Sequence, residues 1–546
     1  KGDRTLLVTN IGFRDVLRIG YQNRPRLFDL NVKLPRMLYE QVVEVAGRFS
    51  AQGEERAPID LEGARAGLQA GYDAGIRACA IVFMHGYRYT AHEKAVAEVA
   101  EDIGFTQIST SHLISPLMKI VSRGDTTVVD AYLSPILRRY VDRVAAELGD
   151  SRLMFMQSNG GLTDASLFQG KDSILSGPAG GVVGAVRTTA MAGFEKIIGF
   201  DMGGTSTDVS HYAGAFERAF ESEVAGIRMR APMMHIHTVA AGGGSILHYD
   251  GARFTVGPDS AGANPGPACY RRGGPLAVTD CNVILGKLNP EFFPKVFGPN
   301  GDEPLDREAV TKKFTALAAE ISASARDAMT PEAIAEGYLT IAVENMASAI
   351  KKISIQRGYD VSEYVLSCFG GAGGQHACLV ADALGMKKVF SHPLAGVLSA
   401  YGMGLADIRA MRQHAVEEVL DEGLMPSLTA ALDALAAEGL AELYSQEIDD
   451  DRITVLRKVH LRYQGTDTAL VVDFADCAKI IKAFEEAHRQ QFGFIDQSKS
   501  HVVEAVSVEA VGAGEAAVDT PLDKAGGGRH DSIPPLAHVR TYMAGR

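Results

Sequence analysis

The stretch Phe200-Asp-Met-Gly-Gly-Thr-Ser-Thr-Asp-Val-Ser210 constrains this chain more than any other part of it. The apolar run Lys196-Ile-Ile-Gly-Phe200 leads in and Val209-Ser-His-Tyr212 leads out, which reads as strand, tight glycine turn, strand. Gly203 and Gly204 let backbone N–H groups approach a polyanion with no Cβ in the way. Thr205, Ser206 and Thr207 add hydroxyl donors. Asp201 and Asp208 flank the turn as hard oxygen ligands suited to a hydrated Mg²⁺. Phosphate donors set between two carboxylates for its metal form a nucleotide-site arrangement. The plainer alternative is a β-hairpin whose Asp and Thr residues only cap the turn.

The rest of the chain supplies a frame for such a site. Residues 1–150 alternate strand and helix signals, with Ala78-Cys-Ala-Ile-Val-Phe-Met84 a continuous apolar run of the kind buried on both faces. That rhythm predicts a mostly parallel α/β sheet. A second α/β block, 151–412, holds the Asp201 hairpin and ends near the Gly370 loop. Residues 413–511 read as an α+β domain, and 512–546 turn to Ala, Gly and Pro, the composition of a linker. Residues 250–300, rich in Gly and Pro, suggest an ordered loop or lid.

Three further glycine loops follow strands. Gly177, Gly180 and Gly181 open a helix whose N-terminus offers N–H groups to an anion. Gly242, Gly243 and Gly244 end a strand at 235–241. Gly370, Gly371 and Gly373 end another at 364–369 and precede a helix. Alternating topology tends to gather such loops at the carboxyl ends of strands, where ligands bind. No Walker A string and no dinucleotide GxGxxG with its acidic partner occurs.

His235 and His237 alternate on a strand and so point to one face. They could touch substrate, hold a metal or be satisfied core histidines. His376 opens a helix beside the glycine loop, and His85 and His92 flank Gly86-Tyr-Arg-Tyr-Thr90 after a buried strand; both settings suit structural roles. Cys269 sits in Pro265-Gly-Pro-Ala-Cys-Tyr270, where packing is the expected role, since a nucleophilic thiol needs an adjacent base.

Composition narrows the class. A net charge of −13 with no Lys/Arg cluster argues against a nucleic-acid surface. Six scattered cysteines without CxxC read as reduced thiols, which points to the cytoplasm. No run approaches the ~18 apolar residues of a membrane span.

The strings Gly12-Phe-Arg-Asp-Val-Leu17, Gln157-Ser-Asn-Gly-Gly161, Leu175-Ser-Gly-Pro-Ala-Gly-Gly181, Gly199-Phe-Asp-Met-Gly-Gly-Thr-Ser-Thr-Asp-Val209 and Phe369-Gly-Gly-Ala-Gly373 resemble the A-type region of the hydantoinase/oxoprolinase superfamily. Side strings such as Ala268-Cys-Tyr-Arg-Arg-Gly-Gly274 and Cys368-Phe-Gly-Gly-Ala-Gly-Gly-Gln-His-Ala377 are most similar to its oxoprolinase branch. The resemblance implies a ribonuclease-H-like fold of the actin, sugar-kinase and heat-shock ATPase type, with two lobes around a nucleotide cleft. On that footing Asp201–Asp208 corresponds to the second phosphate hairpin and Gly370–Gly374 to the adenosine loop. It further implies ATP and Mg²⁺, with K⁺ a further candidate, and opening of 5-oxo-L-proline to L-glutamate with release of ADP and phosphate. A B-type region in cis or in trans is the implied partner, and homo-oligomers are compatible. The family's first Asp-Gly-Gly-Thr hairpin and its B-type region have no counterpart here, so the chain reads as a fragment, inactive or impaired alone. Within the superfamily, N-methylhydantoinase and ketone carboxylase subunits are the alternatives; outside catalysis, an ATPase-fold binding protein is.

Overall fold

The computed structural model describes residues 2–545 apart from 22–27, 29, 32–35, 150, 325–328 and 515–536. Most of the predicted linker at 512–546 lies outside the described residues. The chain divides into two units, each assembled from separated segments.

The first unit comprises Lys1–Ala179, Arg218–Met234 and Ala406–Gly514. Its four-stranded sheet runs in the order Gln41–Val45, Thr5–Asn10, Ala78–Val82, Gln107–Thr110, with every pairing parallel. The central strands are buried along their length because both faces are covered. Leu6, Val8, Cys79 and Ile81 pack on one side with Leu68 and Val96 of the helices Leu61–Asp73 and Ala91–Ile103. Leu7, Ala80 and Val82 pack on the other with Val128 and Ala131 of the helix Ile120–Leu148.

A six-stranded sheet completes this unit, in the order Leu470–Asp473, Ile453–Tyr463, His501–Gly512, Ile408–Val419, Leu162–Asp164, Met154–Met156. The segment 413–511 therefore shares its sheet with residues 154–164, and the strand Ile408–Val419 straddles the boundary drawn at 412 from composition. Strand pairing at long sequence separation leaves no compositional mark, which is why the sequence division missed it.

The second unit comprises Gly180–Glu217, His235–Leu405 and Glu515–Arg546. Its five-stranded sheet has the order Ile236–Val239, Thr207–Ala213, Lys196–Met202, Val365–Phe369, Lys388–Phe390. The first two pairings are antiparallel and the last two, Lys196–Met202 with Val365–Phe369 and Val365–Phe369 with Lys388–Phe390, are parallel. Counted along the chain this is 3-2-1-4-5, the ribonuclease-H-like order that the sequence resemblance implies. The helix Pro331–Ile353 contributes Tyr338, Ala342, Met346 and Ile350 to the main core beside Phe200 and Leu366.

Residues 250–300 are core as much as loop. Cys269, Val278 and Cys281 are fully buried. Asp280 accepts from the N–H groups of Ala268, Cys269 and Ala277 at 2.8–2.9 Å and so ties the turn to the helix Val278–Ile284. Further on, the described residues 537–545 lie against this unit, with the Tyr542 N–H donating to the Leu285 carbonyl at 2.8 Å. No helix among the described residues is long and apolar enough to cross a membrane.

Candidate phosphate and metal site

The site is built within the second unit, on the hairpin of Lys196–Met202 and Thr207–Ala213. Gly203 N–H donates to the Ser206 carbonyl at 3.1 Å and closes the turn. Asp201 and Asp208 stand directly opposite in the antiparallel register, so their side chains share one face. Thr238, opposite Asp208 on the next strand, donates its hydroxyl to Asp208 Oδ1 at 2.6 Å. Burial and then the charge of Asp208 push Asp201 up to about 6. Burial also raises Asp208, against the Thr238 hydrogen bond. Two half-buried carboxylates on one face, the charge of Asp208 raising the proton affinity of Asp201, form a pair suited to a cation.

Two loops press against the turn. Gly370, at φ +83°, lies so close to the hairpin that an added Cβ would fall 2.4 Å from Asp201 Oδ1 and 2.5 Å from the Met202 carbonyl. Ala372 N–H donates to that carbonyl at 2.9 Å. From the other side, Gly243 and Gly244 donate to the carbonyls of Gly203 and Gly204 at 3.0 and 2.6 Å. Thr279 then holds the Gly243 carbonyl with both its N–H and its hydroxyl at 2.8 Å. The turn is thus gripped by its carbonyls, and its donor edge is left free. The N–H groups of Gly204, Thr205 and Ser206 and the hydroxyls of Thr205 and Ser206 have no hydrogen-bond partner among the described residues. Neither Gly203 nor Gly204 has left-handed backbone, and an added Cβ would meet nothing nearer than 3.9 Å. Neither the turn nor the packing demands glycine there, and the bare backbone leaves room for another molecule to approach closely.

The structure separates residues that sequence grouped together. Thr207 is fully buried and its hydroxyl donates to the Ala241 carbonyl at 2.5 Å, so it secures the hairpin and leaves donation to its two neighbours. The N–H of Gly242 is taken by Ser245 Oγ at 2.9 Å, so all three amides of 242–244 are engaged inside the chain. Gly180 and Gly181 admit the helix Leu398–Gly404 and the ring of Phe369, since an added Cβ would sit 2.7 Å from the Ser399 carbonyl or 2.9 Å from Phe369. Gly371 has open space around it, whereas Gly373 is pressed against Cys368 Sγ.

His235 and His237 do share a face, but it is the face opposite the aspartates, because Thr238 between them and the turn points to Asp208. His235 Nδ1 lies 3.6 Å from Glu217 Oε2, within a cluster that includes His211 and Arg357. Burial alone would raise Glu217, but hydrogen bonds from His211 and His235 and the Arg357 charge hold it well below the usual carboxylate range. Burial and the charges of Lys352 and His235 lower His237. Neither histidine reaches the aspartate pair. Burial and Asp280 push the Cys269 thiol far up, which leaves it a packing residue. His376 is buried and lowered to about 3, by burial and then Lys287. Thr238 and Thr279, which set the site's geometry, carried no sequence signal beyond their neighbours.

Among the described residues no group of three or more His, Cys, Asp and Glu side chains is placed to hold a metal. The two aspartates alone suit Mg²⁺, which keeps several waters and takes one or two carboxylates plus phosphate oxygens.

Residues 123–412 match the hydantoinase/oxoprolinase family and residues 1–104 its N-terminal region. The chain is 39% identical over 554 residues to a 5-oxoprolinase of Dictyostelium discoideum, covering 93% of this chain and 44% of that protein. It is 41% identical over 552 residues to 5-oxoprolinase 1 of Arabidopsis thaliana, covering 94% and 43%. The chain therefore spans less than half the length of these relatives. The crystal structure of the ATP-dependent caprolactamase from Pseudomonas jessenii superposes with a TM-score of 0.83 at 29% identity, covering 94% of this chain and 76% of that one.

Proposed function

Since the chain belongs to the hydantoinase/oxoprolinase family, we propose that it carries the nucleotide-handling part of an ATP-dependent cyclic amide hydrolase. The substrate we assign is 5-oxo-L-proline, opened to L-glutamate with release of ADP and phosphate. The observation that carries this reading is the free donor edge of Gly204, Thr205 and Ser206 beside the Asp201–Asp208 pair.

Opening a five-membered lactam is close to balanced, so coupling to ATP gives the reaction its direction. In this reading the lactam oxygen attacks the terminal phosphorus of ATP and ADP leaves. Water then adds to the carbon bearing the phosphorylated oxygen, the C–N bond breaks with a proton passing to nitrogen to leave an acyl phosphate, and a second water hydrolyses that to the amino acid and phosphate. Gly204, Thr205 and Ser206 hold the transferring phosphate by N–H and hydroxyl donors, and positioning of this kind accounts for most of the catalysis in phosphoryl transfer. Asp201 and Asp208 would hold Mg²⁺, which supplies charge neutralisation at the phosphates. Gly371, with no chain atom within 4 Å of an added Cβ, suits contact with the nucleoside.

The complete activity, on this proposal, needs a B-type region supplied in cis or in trans, in keeping with the length of the relatives. The test is ADP, phosphate and glutamate release on 5-oxoproline with Mg-ATP, for the chain alone and with the B-type region present. ADP release that ignores every lactam would sink the reading. The likeness to a caprolactamase favours one rival, a neutral lactam as substrate. A lactam panel assayed by ADP release separates the two.

A further inference from the structure

We propose that Arg48 and His85, at the carboxyl edge of the parallel sheet in the first unit, form a binding site for the carboxylate of an acid-bearing small molecule. For the ligand's identity, an acid-bearing lactam, the proposal rests on the reading above; the site itself stands on the geometry that follows.

Asn10, the last residue of the strand Thr5–Asn10, is buried and clasps the ends of two neighbouring strands. Its Nδ2 donates to the Gly47 carbonyl at 2.8 Å and its Oδ1 accepts from the Met84 N–H at 2.7 Å. Arg48 and His85 are the next residue on each of those segments, so one side-chain amide sets them on adjacent segments, near enough for the Arg48 charge to act on His85, at the edge where parallel sheets bind ligands. The loop carrying His85 is held with unusual rigidity. Glu93, fully buried, accepts from Phe83 N–H, from Ser111 Oγ and from both the N–H and Nδ1 of His112. Arg123, also fully buried, donates to Ser111 Oγ and to the carbonyls of Leu117, Met118 and Phe83. An added Cβ on Gly86 would strike Glu93 Oε1 at 2.3 Å.

On this scaffold His85 is held at φ +61°, a left-handed conformation that non-glycine residues seldom adopt. The imidazole so displayed makes no hydrogen bond among the described residues. The Arg48 guanidinium lies 5.1 Å over the Phe13 ring and has no acidic partner among them either. The carboxylates nearby are already committed: Glu44 to the Gly12 N–H and Arg14, Glu55 to His92, Glu93 to the buried network. A planar fork and a ring donor, fixed together with no internal acid to satisfy them, match the two oxygens of a carboxylate. Burial and then the charges of Arg48 and Arg123 lower His85, so a bound anion would draw it back up.

The experiment is isothermal titration of the chain with 5-oxo-L-proline and with 2-pyrrolidone, the same ring without the acid. It is repeated for Arg48→Met, Arg48→Lys and His85→Asn; asparagine tolerates positive φ. The parent should favour 5-oxoproline by at least about tenfold, the range for a charge-assisted hydrogen bond. Arg48→Met should abolish that preference, Arg48→Lys restore part of it, and His85→Asn reduce it, with melting temperature and Mg-ATP binding unchanged. An undiminished preference in Arg48→Met overturns the site. If neither lactam binds the parent, titration with glutarate decides: Arg48-dependent binding upholds the site while the lactam reading fails, and no binding at millimolar glutarate overturns the site itself.

Discussion

Two glycine segments of the second unit, Gly203–Ser206 and Gly242–Gly244, look alike in sequence and do opposite work. The first keeps the N–H groups of Gly204, Thr205 and Ser206 free, makes no contact that requires glycine, and is gripped by neighbouring loops only through its carbonyls. The second spends every amide inside the chain, and an added Cβ on Gly242 would lie 2.5 Å from the backbone carbon of Thr205. On the proposed function, one segment meets the ligand and the other supports the segment that does. Glycine therefore marks close approach in both, and only the destination of the N–H groups says what approaches.

The sharpest way to break that distinction is at the aspartates. Asp201→Asn should lower ATP-dependent turnover by at least ~10²-fold, the scale for one charge-stabilising group. The same variant makes a stability prediction. A carboxyl raised to about 6 in the folded chain binds protons more tightly than in the unfolded chain, so the contribution of Asp201 to stability is greatest at low pH. It falls as pH rises from about 4, the unfolded value, through 6. Asn should flatten that part of the unfolding profile, and an unchanged slope would show that Asp201 is not desolvated as described.

Gly204→Val should weaken Mg-ATP binding by about tenfold or more, because the branch covers donors whose charge-assisted bonds are worth 1–3 kcal/mol. Its melting temperature should stay within about 4 °C of the parent, the shift that ~1 kcal/mol causes in a domain of this size. Gly242→Ala should reverse the pattern, costing ~1–3 kcal/mol of stability through forced overlap, with nucleotide affinity in the folded fraction nearly intact. Equal behaviour of the two variants in paired melting and titration experiments would erase the contrast. Thr207→Val is the smallest test. Losing the bond to the Ala241 carbonyl should cost ~1 kcal/mol by denaturant unfolding, with no change in phosphate contacts.

The hairpin and the strand-then-glycine loops were legible because they are local, and the ribonuclease-H-like class followed from collinear motifs. What sequence withheld was tertiary. Alternation gave His235 and His237 a common face, but the register Asp208 to Thr238, which turns that face away from the aspartates, belongs to a strand pair 30 residues apart. Thr207 reads like Thr205 until its burial is seen. The pairing of 154–164 with strands beyond 408 is likewise invisible to any local pattern.

That last pairing has a consequence for biosynthesis. The short strands Met154–Met156 and Leu162–Asp164 leave the ribosome long before the strand Ile408–Val419, which takes up their edge through Leu162, and before His501–Gly512. A two-stranded ribbon is at best marginally stable in water. At ~5–20 residues per second, its edge waits on the order of tens of seconds for the rest of its sheet. During that interval the second unit's hairpin has already been made, so the nascent chain carries an open sheet edge while its phosphate site can form. Protection of that edge by a ribosome-associated chaperone, measured as cross-linking at 154–164 on stalled chains, is the expected counterpart of a sheet whose short strands wait for partners made much later.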